Sequence, residues 1–97
     1  MTDRELLELA AKAIGLKLKY NYLGGRDANQ PWDPLEDDGD ALRLAVKLRM
    51  HVSIFADAIG IGTPGGGYTE TKWVDDANAA TRRAITRAAA EIGKEMK

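Results

Sequence analysis

Met50-His51-Val52-Ser53-Ile54-Phe55-Ala56-Asp57-Ala58-Ile59 is followed, after a glycine-rich break, by Tyr68-Thr69-Glu70-Thr71-Lys72-Trp73-Val74. The fold turns on how these two runs are read. In the first, Val52, Ile54, Ala56 and Ala58 alternate with His51, Ser53, Phe55 and Asp57. A period of two is the mark of a β-strand. Phe55 and Ile59 keep the second face from being wholly polar, so something is expected to cover it. In the second run Tyr68, Glu70, Lys72 and Val74 share one face, and Thr69, Thr71 and Trp73 the other. Gly60-Ile61-Gly62-Thr63-Pro64-Gly65-Gly66-Gly67 between them reads as a flexible connector. The two runs are thus expected to form a long-looped antiparallel hairpin.

The flanking segments have a helical period. Leu6, Leu9, Ala10, Ala13 and Ile14 form one stripe of a helix over 3–14. Thr2 and Glu5 have the spacing of a capping box at its start, and Gly15 can close it in the left-handed conformation. Leu16, Leu18, Tyr20 and Tyr22 alternate with Lys17, Lys19 and Asn21, which predicts a half-buried strand over 16–22. Gly24-Gly25 ends it, and 26–30 is polar loop. Gln30 and Asp33 each precede a proline and are biased toward extended backbone. Trp32 is expected to fold onto the core. The acids from Glu36 to Asp40 precede a helix over 38–49 with Ala41, Leu42, Leu44, Ala45 and Leu48 on its inner face. A last helix, capped by Asp75 or Asp76, runs to Lys94, with Ala77, Ala80, Ala84, Ile85, Ala88, Ala89 and Ile92 as a face of small residues and Gly93 at a fraying end. The expected order is α-β-α-β-β-α. The fold class is α+β: one small domain over 1–97, with a three-stranded, mostly antiparallel sheet packed with three helices.

Composition narrows the function classes. The 97 residues allow one domain. Hydrophobic residues make up 44% and charged residues 30%, which suits a globular chain rather than a disordered one. Fourteen basic residues face fifteen acidic ones, for a net charge of -1. That balance disfavours a general nucleic-acid binder. The absence of cysteine excludes disulfides and zinc–thiolate sites and suits a reducing cytoplasm. No apolar run approaches the ~20 residues of a membrane span, and the polar start has no signal-peptide core. A cytoplasmic protein without a membrane partner is expected.

Several groups invite a chemical reading. The glycine-rich loop can present backbone amides to a phosphate, with Thr63, Gly65, Gly66, Gly67 and Tyr68 as the ligand-binding candidates. It lacks the lysine and the following serine or threonine of a P-loop and leads into a strand, so a plain hairpin loop is the simpler reading. His51 is the single histidine and has no nucleophile motif near it. Asp57 lies six positions on, roughly 20 Å along an extended strand, too far for a dyad. No catalytic residue is assigned. The acidic run lacks the spacing of a calcium loop and is read as helix capping, so no metal site and no cofactor are expected. Arg82, Arg83 and Arg87 form a candidate basic patch on the last helix, suited to phosphates or an acidic partner. Trp73 shares its strand face with two threonines and is the first candidate for an interface.

Three blocks carry a resemblance. They are Thr2-Asp3-Arg4-Glu5-Leu6-Leu7-Glu8-Leu9-Ala10-Ala11-Lys12-Ala13, the run from Trp32-Asp33-Pro34-Leu35 to Leu44-Ala45-Val46, and Ala79-Ala80-Thr81-Arg82-Arg83-Ala84-Ile85 with Arg87-Ala88-Ala89-Ala90-Glu91-Ile92-Gly93. Together they resemble small phage and prophage proteins of Proteobacteria, with a layout similar to the phage α/β/α-sandwich family. The resemblance covers about half the chain and leaves out Gly24–Gln30 and Ala56–Lys72. It implies a phage-encoded accessory protein and carries no activity with it. The expectation is a non-enzymatic binding protein that engages a host protein or sequesters a small signalling molecule, as in counter-defence. Homo-oligomerisation through a sheet edge or Trp73 is expected. The alternative is a weak nucleic-acid binder using the arginine face. A small enzyme acting on a phosphorylated substrate at the glycine loop ranks last.

Overall fold

The computed structural model describes residues 2–16, 18–19, 22–23, 32–72 and 76–96. Three helices, α1 (Asp3–Ala13), α2 (Asp38–Lys47) and α3 (Ala77–Glu95), pack with an antiparallel sheet of β3 (His51–Ile54), β4 (Ala58–Gly62) and β5 (Tyr68–Lys72) in the order β3-β4-β5. The α+β class, the three helices and the three-stranded antiparallel sheet are as the sequence predicts. The segments that supply the strands differ. The described residues of the span 16–22 do not join the main sheet. They contribute β1 (Leu18–Lys19), which pairs with β2 (Tyr22–Leu23) in a separate two-stranded ladder. The third main strand arises because the run 50–59 is two strands. Phe55 N–H donates to the Ala58 carbonyl across a two-residue turn at Ala56-Asp57. The phase of the apolar residues gives the reason: Val52 and Ile54 are even, Ile59 and Ile61 odd. One straight strand would send these pairs to opposite faces. The turn pairs Val52 with Ile61 and Ile54 with Ile59, so all four share the helix-facing side.

Each helix starts where a side chain can satisfy its free amides. Thr2 Oγ1 accepts from Glu5 N–H at 3.1 Å, and Glu5 Oε1 accepts from Thr2 N–H at 3.3 Å. The bond from Thr2 N–H foremost, and then one from the Thr2 hydroxyl to the same Oε1 at 3.1 Å, hold the Glu5 carboxyl below its ordinary value. Asp37 accepts from Asp40 N–H at 2.8 Å at the start of α2. Asp76 accepts from Ala79 N–H at 3.0 Å at the start of α3. Before α2, Asp33 N–H donates to Asp40 Oδ2 and Asp33 Oδ1 accepts from Leu35 N–H, a local turn that seats Trp32, Pro34 and Leu35 in the core. The acidic run thus serves capping and turn geometry, as its position predicts. Among the described residues no group of three metal-ligating side chains converges.

Helix α3 is the spine of the molecule. Ala84, Ile85, Thr86, Ala88, Ala89, Ala90 and Gly93 are all buried, which covers about two-thirds of its circumference. One side meets α2 and the inner face of the sheet; the other meets α1. Asp3 pairs with Arg83 at one end of the α1–α3 contact, and Lys12 Nζ donates to the Met96 carbonyl at the other, so the two helices run parallel. Small side chains let the backbones approach. At Gly93 a Cβ would fall on the Leu9 carbonyl oxygen. Gly93 is therefore a buried contact inside the helix, not the fraying end that its residue type suggests. No helix among the described residues is long and apolar enough to cross a membrane.

Candidate functional site

The loop between β4 and β5 is a compact turn. Gly66 N–H donates to the Thr63 carbonyl at 3.0 Å, and Thr63 N–H donates to the Gly67 carbonyl at 2.8 Å. Pro64 takes the second position of the first of these turns, where its fixed φ fits, and Gly66 adopts φ +92°. Two of the loop's amides are thus committed within the loop, which weakens it as a phosphate cradle. The connector is also shorter than the sequence implies, because Gly60, Ile61 and Gly62 belong to β4.

This turn overhangs the C-terminal half of α3, and between them lies a cleft of about 580 Å³. Its floor and walls are apolar: Leu48, Ile61, Pro64, Ala88, Ile92 and Met96. Thr63, Gly65, Gly67 and Tyr68 line it as well. Four of the five loop residues singled out as ligand-binding candidates therefore border one cavity; Gly66 does not. Glu91 and Glu95 stand on the helical side. Their carboxylates and the threonine hydroxyls are the polar side-chain groups available to a guest. Sequence reasoning missed the helical wall. Its signal is the spacing of Ala88, Glu91, Ile92 and Glu95, which are three, four and seven positions apart and so form one stripe.

Tyr68 contributes less than its position suggests. Along β5 it lies on the face opposite Thr69, and its ring crosses the sheet's outer side to Gly60, where a Cβ would strike the phenol oxygen. The hydroxyl lies 3.2 Å from Glu70 Oε2. Desolvation first, then the bond to the Glu70 carboxylate, raises the phenol above its ordinary value. A hydroxyl so placed faces away from the cleft.

The arginines do not act together. Arg82 Nε donates to the Leu35 carbonyl at 2.9 Å, and its Nη1 meets Asp38 Oδ1 at 2.6 Å; the side chain is only 15% exposed. The Asp38 bond, before all else, raises its pKa. Arg83 reaches the other way, to both carboxylate oxygens of Asp3 at 3.0 and 3.1 Å. Arg87 is exposed and has no ion-pair partner among the described residues. Of the proposed patch, one cation is left for a ligand. Trp73, the interface candidate, lies outside the described residues. His51 and Asp57 sit at opposite ends of β3 and its turn, so they form no dyad.

Comparison with family models, with curated proteins and with solved structures returns no match.

Proposed function

We propose that the chain is a binding protein without chemistry of its own, which takes a mostly apolar small molecule, neutral or cationic, in the cleft between the β4–β5 turn and α3. One observation carries this reading: the cavity of about 580 Å³ has an apolar interior, and its ionisable helical groups are the two glutamates, Glu91 and Glu95. The volume falls within the roughly 300–1,000 Å³ of small-molecule sites, which are apolar with a few placed polar groups. Two carboxylates repel a phosphate and attract an amine. The sign of the site therefore favours a cation over the phosphorylated ligand that the glycine loop alone suggests. Sequestration of such a molecule fits an accessory protein of phage or prophage origin, for which the three sequence blocks are the support. A nucleic-acid role is less favoured, because Arg82 and Arg83 are spent on Asp38 and Asp3.

The test is native mass spectrometry of protein gently purified from bacterial cells, followed by calorimetry with matched probes. Phenylbutylamine should bind more tightly than phenylbutyrate. Glu91→Lys with Glu95→Lys should reverse that order, and Thr69→Trp should abolish binding by filling the cleft from an exposed strand position. A preference for the carboxylate in the unaltered protein would sink the reading.

A further inference from the structure

A second surface stands apart from the cleft. Strand β3 pairs with β4 alone among the described strands, so among them its other side is an open edge. The Phe55–Ala58 hydrogen bond fixes which backbone groups lie there. In an antiparallel ladder, residues bonded to one neighbour alternate with residues whose N–H and C=O point the other way. Phe55, Ser53 and His51 therefore bond toward β4, and Val52 and Ile54 direct their amides and carbonyls outward. Beneath this edge lies a cleft of about 370 Å³ whose lining includes Leu42, Ala45, Val52, Ile54 and Ile85. Ile54 is 68% exposed, Leu42 63% and Val46 67%. Leu42 and Val46 are four positions apart on α2 and share one stripe. The opposite edge, β5, carries Glu70 and Lys72, charges of the kind that discourage edge pairing; β3 has neither lysine nor proline.

We infer that a second copy of this chain occupies the β3 edge, antiparallel and related by a two-fold axis that passes at Ser53. The backbone alternation selects this register. Val52 of each copy exchanges both backbone hydrogen bonds with Ile54 of the other, so all the outward groups of the strand are used. An axis at Val52 would instead need the Met50 amide, which is already donated to the Ala45 carbonyl at 2.9 Å. The axis at Ser53 also keeps each face of the sheet continuous. Val52 meets Ile54 of the second copy on the helix side, and the Leu42–Val46 stripes of the two α2 helices approach below.

Charge favours the same arrangement. The start of β3 is basic, with Lys47 and Arg49 just before it, and Asp57 follows its end. Arg49 and Asp57 have no ion-pair partner among the described residues. Arg49 lies in the turn before the strand and Asp57 in the turn after it, so antiparallel pairing about Ser53 brings the Arg49 end of one copy to the Asp57 end of the other, twice per dimer. A parallel arrangement would set like charge against like. This contact is isologous: one patch meets its own copy, and the assembly closes as a dimer.

Sedimentation velocity of the full chain over a concentration series tests the inference. The unaltered protein should run as a dimer. Ile54→Lys and Leu42→Glu, both at exposed positions, should give monomers with unchanged circular dichroism. Asp57→Arg should weaken the dimer by about tenfold or more, and adding Arg49→Asp should recover most of the loss. Register is tested separately, because the chain has no cysteine. Under mild oxidation Ser53→Cys should form a disulfide-linked dimer rapidly, since Ser53 faces its own copy at a close, non-hydrogen-bonded pair. His51→Cys should not. A monomer at sub-millimolar concentration would overturn the inference and leave the edge to another protein's strand. So would a dimer that survives Ile54→Lys, or equal cross-linking of the two cysteine variants.

Discussion

The phenol oxygen of Tyr68 occupies the space where a side chain on Gly60 would begin. The two residues lie on adjacent strands, diagonal to each other, because Gly62 pairs with Tyr68 and Gly60 with Glu70. Diagonal neighbours are within reach of an aromatic side chain. The glycine is what lets the ring lie flat on the sheet. Gly60→Ala must push the ring off. Since the clash is with the far end of an exposed side chain, the ring can swing into solvent, and the expected loss is only about 1 kcal/mol. Freed from desolvation and from Glu70, the phenol should ionise at lower pH than in the unaltered protein. Ultraviolet titration of the two proteins, with Tyr68→Phe to identify the signal, checks this.

Gly93→Ala makes the opposite case. There the obstacle is backbone: the Leu9 carbonyl of α1. No rotamer relieves it, so α1 must move away from α3. That contact also buries Ala10, Ala11, Ala89 and Ala90. Overpacking of this kind costs about 3 kcal/mol or more when backbone has to shift. Urea denaturation should show Gly93→Ala far less stable than Gly60→Ala. Similar midpoints for the two would mean that the helices are not held at this distance.

Arg82 and Arg87 should separate in the same experiment. Arg82 ties α3 to the segment before α2 through the Leu35 carbonyl and Asp38. Its replacement by alanine leaves that carbonyl unpaired and is expected to cost about 1–3 kcal/mol. Arg87→Ala removes an exposed side chain and should stay within about 0.5 kcal/mol. If both are neutral to urea denaturation, the arginines form a solvated face and the basic-patch reading regains force.

What could be read from sequence followed from short-range physics. The capping of α1 by Thr2 and Glu5 needs only residues three positions apart and was legible; the caps of α2 and α3 were legible as a run of acids and as Asp75 or Asp76, within which the structure picks Asp37 and Asp76. So were most of the apolar stripes and the burial of Trp32; Leu42, expected on the inner face of α2, is 63% exposed instead. The turn at Ala56-Asp57 was hidden because it lacks the glycine that usually marks a two-residue hairpin. The shift of Val52 and Ile54 against Ile59 and Ile61 was the remaining sign of it. The partners of Arg82 and Arg83 lie 44 and 80 positions away. No local pattern reports such distances, so a cluster in sequence became two separate clamps in space. The cleft was half visible for the same reason: its loop was named, and its helical wall was not.

Acid should loosen the start of α1. Glu5 has a lowered pKa in the folded chain, so its contribution is present above the ordinary glutamate value of about 4.3 and is lost as pH falls through the lower folded value. The melting temperature should decline across that window, and Glu5→Gln should remove part of the decline by lowering neutral-pH stability toward the acid value. An identical pH profile for the variant would place the acid sensitivity elsewhere.

The glycine loop offers a test that separates shape from chemistry. Gly65 has open space around its Cα, whereas Gly66 holds φ +92°, a conformation that L side chains rarely adopt. Gly65→Ala should leave the melting temperature unchanged or raise it slightly, through lower entropy of the unfolded chain. Gly66→Ala should cost about 1 kcal/mol. Gly65 lines the cleft and Gly66 does not. If the cleft binds its guest through apolar walls and the two glutamates, Gly65→Ala should alter affinity for phenylbutylamine by less than Glu91→Lys does. If instead the loop amides grip an anion, phenylbutyrate should be the tighter ligand, Gly65→Ala should weaken its binding at unchanged stability, and Glu91→Lys should strengthen it. Calorimetry on those two variants, each with its melt, decides between the helical wall and the loop as the source of recognition.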